Sequence, residues 1–96
     1  MKIIWAQPAR LDLLDIFDYI ASASPKSAKT LLIEIKNRTA LLIDNPHMGR
    51  IGRVYGTREL VVTGTPFILP YRISGQHIQI LAVFHGARQW PENFNS

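Results

Sequence analysis

The four residues "SASP" (22–25) constrain the fold more than any other stretch, because they separate two helical stripes with almost no chain between them. Upstream, Leu13, Ile16, Phe17 and Ile20 recur at helical spacing between Arg10 and Ala21, with Leu14 and Ala21 beside them. Pro8 suits the first turn of that helix. Downstream, Ala28, Leu31, Leu32, Ile35, Thr39, Leu42 and Ile43 trace a second stripe, while Lys26, Lys29, Lys36 and Arg38 sit mostly elsewhere. Ser24 is a good N-cap and Pro25 a good first helical residue. "DNP" (44–46) stops the helix, since the residue before proline avoids the α region. A link of a few residues predicts an antiparallel helical hairpin.

Around the hairpin the period changes. "KIIWA" (2–6) reads as a short strand rich in β-branched and aromatic residues. "HMGRIGRVYG" (47–56) holds three glycines and two arginines, and reads as an exposed, shaped loop with Arg50 and Arg53 as charged tips. Three strands follow: "TRELVV" (57–62), "FILPYRI" (67–73) and "HIQILAVF" (77–84), separated by the turns "TGTP" and "SGQ". Pro70 lacks a ladder donor, which predicts an edge position or a bulge. On the last strand Ile78, Ile80, Ala82 and Phe84 make one apolar face; His77, Gln79, Leu81 and Val83 make a half-apolar second one. The order β-α-α-β-β-β predicts an α+β domain, a small, mainly antiparallel sheet with the helical hairpin on one face. The second face is expected to stay partly uncovered and to await a partner.

Ninety-six residues suit a single domain, 1–96, with one core. The absence of cysteine excludes disulfides, thiolate metal sites and cysteine nucleophiles. His47, His77 and His85 match no metal spacing, so no metal or cofactor is expected. Asp12, Asp15 and Asp18 read as a solvated helix face, since three-residue steps drift around a helix. No apolar run reaches the roughly 18–20 residues that span a bilayer, and the N-terminal run is too short for a signal peptide. The expected location is the cytoplasm, with no membrane partner. Net charge is +4, and residues 49–96 carry five arginines against two glutamates and no lysine. That bias suggests an acidic partner met through directional contacts. No recognition helix with clustered bases and no stacking platform is present, so direct sequence-specific DNA binding is not expected.

"PARLDLLDIFDYIA", "NPHMGRIGRVYGTRELVV", "FILPYRI" and "ILAVFHGARQWP" together resemble the RelE/ParE superfamily, the toxins of bacterial type II toxin–antitoxin modules. The wording "FILPYRI…VFHGARQW" is similar to the ParE side. The resemblance implies a growth-inhibiting toxin held inactive by a cognate antitoxin. On the ParE side the target is DNA gyrase; on the RelE side it is the ribosome, where mRNA is cut. Metal-free RNA cleavage needs a base, an acid and a cation on the phosphate charge. Ile68 stands where a RelE-like nuclease would carry arginine, and no tyrosine follows Tyr71. Glu59, Arg72 and His85 imitate a second nuclease set, but Gly86 follows His85 where that set has tyrosine. The incomplete set favours a binding module.

On that reading Arg58, His85, Arg88, Gln89 and Trp90 contact the target, arginine and tryptophan being the types that dominate interface energy. Arg50, Arg53, Arg58, Leu81 and Val83 are expected to meet the antitoxin. Arg58 and Glu59 are strand neighbours on opposite faces, and which of them is functional stays open. Arg72 is equally a sheet-surface ion pair or a target contact.

Overall fold

Helix α1, Gln7–Ala23, and helix α2, Pro25–Ala40, share the single residue Ser24 as C-cap and N-cap. Its hydroxyl accepts the Ser27 N–H at 3.2 Å, satisfying one donor that the first turn would leave orphaned. A single 3-10 turn, Leu41–Ile43, ends the hairpin. The computed structural model describes residues 1–94; the last two residues lie outside it.

The strands are β1, Lys2–Trp5; β2, Arg50–Ile51; β3, Arg58–Val61; β4, Phe67–Ser74; β5, His77–Ile80; and β6, Phe84–His85. They form one sheet in the order β1-β5-β4-β3-β2, with β6 continuing beside β4 where β5 stops. Only β1 runs parallel to its neighbour, with Lys2 opposite His77; the other pairs are antiparallel. The hairpin packs on one face. Ala9 and Ile35 from the helices meet Leu60, Leu69, Tyr71, Ile78 and Ile80 from the sheet, each at most 2% exposed. The expected α+β architecture is the observed one.

The expected continuous strand 77–84 is instead two strands and a bulge. Tyr71 pairs with Ile80 and Ile68 with Phe84, so three residues, 81–83, stand opposite two, Leu69 and Pro70. Pro70 explains the break. Its carbonyl accepts the Leu81 N–H at 2.9 Å, so its missing donor faces the side where the ladder is interrupted. Asp12 of α1 closes the gap by accepting the Val83 N–H at 3.0 Å. One extra residue reverses which face each later side chain occupies. Phe84 therefore leaves the face of Ile78 and Ile80, and His85 joins the hairpin side opposite Phe67.

This corrects the partly uncovered second face. Leu81 and Val83 are each only 2% exposed, and Val83 packs in the hairpin-side core, so neither offers an apolar surface. The chain beyond β6 folds back over the second face. Gly86 donates to Pro66 O at 2.9 Å and sits tight on the sheet; an added Cβ would come within 3.1 Å of Ile68 Cδ1.

Candidate target-contact face and partner cleft

Glu59 lies on the second face of β3, opposite Pro70, and is 2% exposed. Its Oε1 accepts from Arg50 Nε at 3.0 Å, and its Oε2 accepts both the Arg53 main-chain N–H at 2.8 Å and Arg53 Nε at 3.1 Å. Burial alone would raise its pKa, but these donors, with Arg53 foremost, outweigh it and hold the carboxyl below its ordinary 4.5. Arg50 and Arg53 are thus not unpaired tips. Both are partly exposed, and both are anchored to one carboxylate.

From this pair the face extends outward through rings. The Arg53 guanidinium stands 3.8 Å from the centroid of Trp90. Trp90 meets Phe84 edge-on at 5.1 Å, Phe94 stacks on Phe84 at 6.0 Å, and Arg88 covers Phe84 at 4.2 Å. Arg88 is placed by a turn, its N–H donating to His85 O at 3.0 Å. Arg88 and Gln89 are exposed and Trp90 half-buried. Among the expected target residues, the structure therefore joins Arg88, Gln89 and Trp90 into one surface, and adds Arg53.

His85 adjoins Arg88, the two lining one shallow pocket beside α1, but its ring turns away from Trp90, and Arg58 lies apart. The His85 ring is on the hairpin side, edge-on to Phe67 at 6.1 Å, with Nδ1 accepting the Ala87 N–H at 3.1 Å. Arg58 turns inward and donates to the carbonyls of His47 and Gly49 at 3.1 and 2.7 Å. With it, Tyr71 fixes the loop after α2: its hydroxyl accepts the Gly49 N–H at 3.0 Å and donates to Pro46 O at 2.7 Å. Burial raises the Tyr71 pKa above its ordinary 10.0, against the lowering effects of the Gly49 bond and Arg58. Residue 49 must be glycine here, because a Cβ would come within 2.6 Å of the Tyr71 ring and hydroxyl.

The imitation nuclease set is not assembled. Glu59 and Arg72 share the second face, but His85 is on the other face, opposite Phe67. Five residue steps along β4 separate Phe67 from Arg72, about 16 Å at strand rise. No cluster of three or more His, Cys, Asp or Glu able to hold a metal exists among the described residues, and none of their helices is long and apolar enough to cross a membrane.

One feature of the surface escaped the sequence reading. A cleft of about 670 Å³ opens between β1 and the hairpin, lined by Ile3, Ile4, Trp5, Leu13, Leu14 and Phe17 and rimmed by Arg10 and Lys36. Ile4 and Leu14 are 40% and 57% exposed. The signal was present in Leu14, which stands beside the buried stripe of α1 and widens it beyond what one core requires.

Residues 3–90 match the family described as "ParE toxin of type II toxin-antitoxin system, parDE". The chain belongs to the ParE toxin family. It is 38% identical over 91 residues to "Putative toxin Y4kP" of Sinorhizobium fredii, covering 95% of this chain and 94% of that one. It is 31% identical over 87 residues to "Toxin RelE2" of Caulobacter vibrioides, covering 91% and 97%. A solved structure, "Chromosomal ParDE TA system from P. aeruginosa", superposes with a TM-score of 0.78 at 32% identity, over 88% of this ParE-family chain and 95% of that one. The RelE/ParE resemblance, and its ParE side, hold.

Proposed function

We propose that this ParE-family toxin arrests growth by binding and poisoning DNA gyrase, with Arg88, Gln89 and Trp90 as the contact surface, until a cognate antitoxin neutralises it. The observation that carries the binding reading is Glu59. A general base must face the proton it removes. Both oxygens of this buried carboxylate are already held by Arg50 and Arg53, and His85 stands on the opposite face of the sheet. The second face supports recognition better than acid–base chemistry.

The antitoxin reading moves from the arginines to the cleft. Arg50, Arg53 and Arg58 are engaged within the chain, so they contribute positive field rather than direct ion pairs. The cleft offers apolar surface with Arg10 and Lys36 at its rim, suited to an amphipathic segment carrying acids. The Lys2 and Ala6 N–H groups point to β5, so by alternation those of Ile3 and Trp5 face the open edge of the sheet, where an added strand can pair.

Two assays with purified, refolded toxin test the target: gyrase supercoiling with trapped DNA cleavage, and codon-phased mRNA cleavage on translating ribosomes. Gyrase inhibition with intact mRNA is expected. Ribosome-dependent cuts with gyrase untouched would refute the reading. Leu14→Glu is expected to keep growth arrest while the antitoxin loses its rescue; retained rescue would remove the cleft as the antitoxin seat.

A further inference from the structure

We infer that Glu59 is the positioning residue of the proposed contact face: its carboxylate fixes Arg53, and Arg53 in turn fixes the Trp90 ring beside Arg88 and Gln89. This rests on the reading of that face as a target contact, and goes beyond it by naming the group that pre-organises it.

Oε2 of Glu59 grips Arg53 twice, at the main-chain N–H and at Nε. A simple ion pair would need only the second bond. The double grip orients both the loop and the guanidinium plane, which is what a stacked arginine requires. That plane lies 3.8 Å from the Trp90 centroid. The indole itself has no other polar anchor: Nε1 is buried without a hydrogen-bond acceptor among the described residues. Its ring meets the Arg53 guanidinium on one side and Phe84 edge-on on another. The backbone around it adds little. Among the described residues beyond β6, the main-chain N–H groups of Gly86, Ala87 and Arg88 are anchored to Pro66 O, His85 Nδ1 and His85 O, all upstream of Trp90. Displacing Arg53 should loosen the Trp90 ring relative to Arg88 and Phe94, which rest on Phe84. Such pre-organisation strengthens binding without adding a contact.

The test uses the refolded full chain and two readouts. Only Trp5 and Trp90 are tryptophans, so in a Trp5→Phe background fluorescence reports Trp90 alone. Acrylamide quenching of that emission is measured for Glu59→Gln, Glu59→Asp and Arg53→Lys, with circular dichroism confirming folded protein. Gyrase inhibition is measured for the same substitutions with Trp5 intact. Glu59→Gln and Arg53→Lys are expected to increase quenching and to raise the half-inhibitory concentration about tenfold. Glu59→Asp should recover part of both. The double variant should be no worse than either single one, because the two residues act through one ring. Unchanged quenching in folded Glu59→Gln, or additive losses in the double variant, would overturn the inference. If Glu59→Gln does not fold, Arg53→Lys decides, since it leaves the carboxylate paired with Arg50. Should the wild type fail to inhibit gyrase while quenching responds as expected, the target reading falls and the positioning role stands.

Discussion

Replacing Tyr71 by Phe removes one oxygen atom and, with it, the tie between the sheet and the loop after α2. The ring is fully buried, and Phe preserves its packing. What changes is polar. Gly49 is buried, so its N–H would lose its only partner at 3.0 Å and stay shielded from water. A stranded buried donor costs about 1–3 kcal/mol. Pro46 is only half-buried, and its carbonyl can turn to solvent, which adds little. The expected loss is about 2 kcal/mol, or roughly 8–16 °C in midpoint for a domain of this size. Urea unfolding followed by circular dichroism is the assay, with Tyr19→Phe as control because Tyr19 is 81% exposed. The midpoint should fall while the slope is unchanged. The pH dependence adds a second reading. A pKa raised above 10.0 in the folded state means that stability is intact below that value and declines as pH rises through the folded pKa. Tyr71→Phe should abolish that alkaline decline. A loss under about 0.5 kcal/mol, the range of ordinary surface changes, would refute the assignment of the hydroxyl as a structural bridge.

Three further outcomes follow from the same geometry. Glu59 has a lowered pKa, so its contribution is present above about pH 4.5 and disappears as pH falls through the folded value; acid titration of stability should be flatter in Glu59→Gln. Asp12→Ala strands the Val83 N–H at the bulge and should cost about 1–3 kcal/mol in urea unfolding, where Asp15→Ala stays near neutral. Pro70→Ala should destabilise by about 1–3 kcal/mol, because it introduces a buried N–H facing the bulge; a stabilised variant would mean that β5 can close the gap.

Much of the fold was legible because periodicity and breakers agree locally. Ser24 and Pro25 marked the hairpin, and the strand segments fell where β-branched residues cluster. Pro70 announced a bulge or an edge, and the bulge was realised. Its position was not legible, since residues 81–83 are apolar on either register and only pairing with Ile68 shows the extra residue. That one residue decided the faces of Phe84 and His85, and hence most of the site. The partners of Arg50 and Arg53 escaped for a related reason. Glu59 is close in sequence, but the pairing requires the loop to fold back beside β3, which no residue spacing encodes.

The parallel pairing of β1 with β5 sets the order in which the protein can complete itself. Lys2 is made first, yet its partner is His77, some 75 residues later. At a synthesis rate of about 5–20 residues per second, β1 waits roughly 4–15 s for a neighbour. During that interval Ile3 and Trp5 have no sheet to lean on, and the cleft that they line has no floor. A nascent chain therefore cannot be captured there by a partner that recognises the finished shape. An antitoxin that used the cleft would have to wait until β5 has paired with β1.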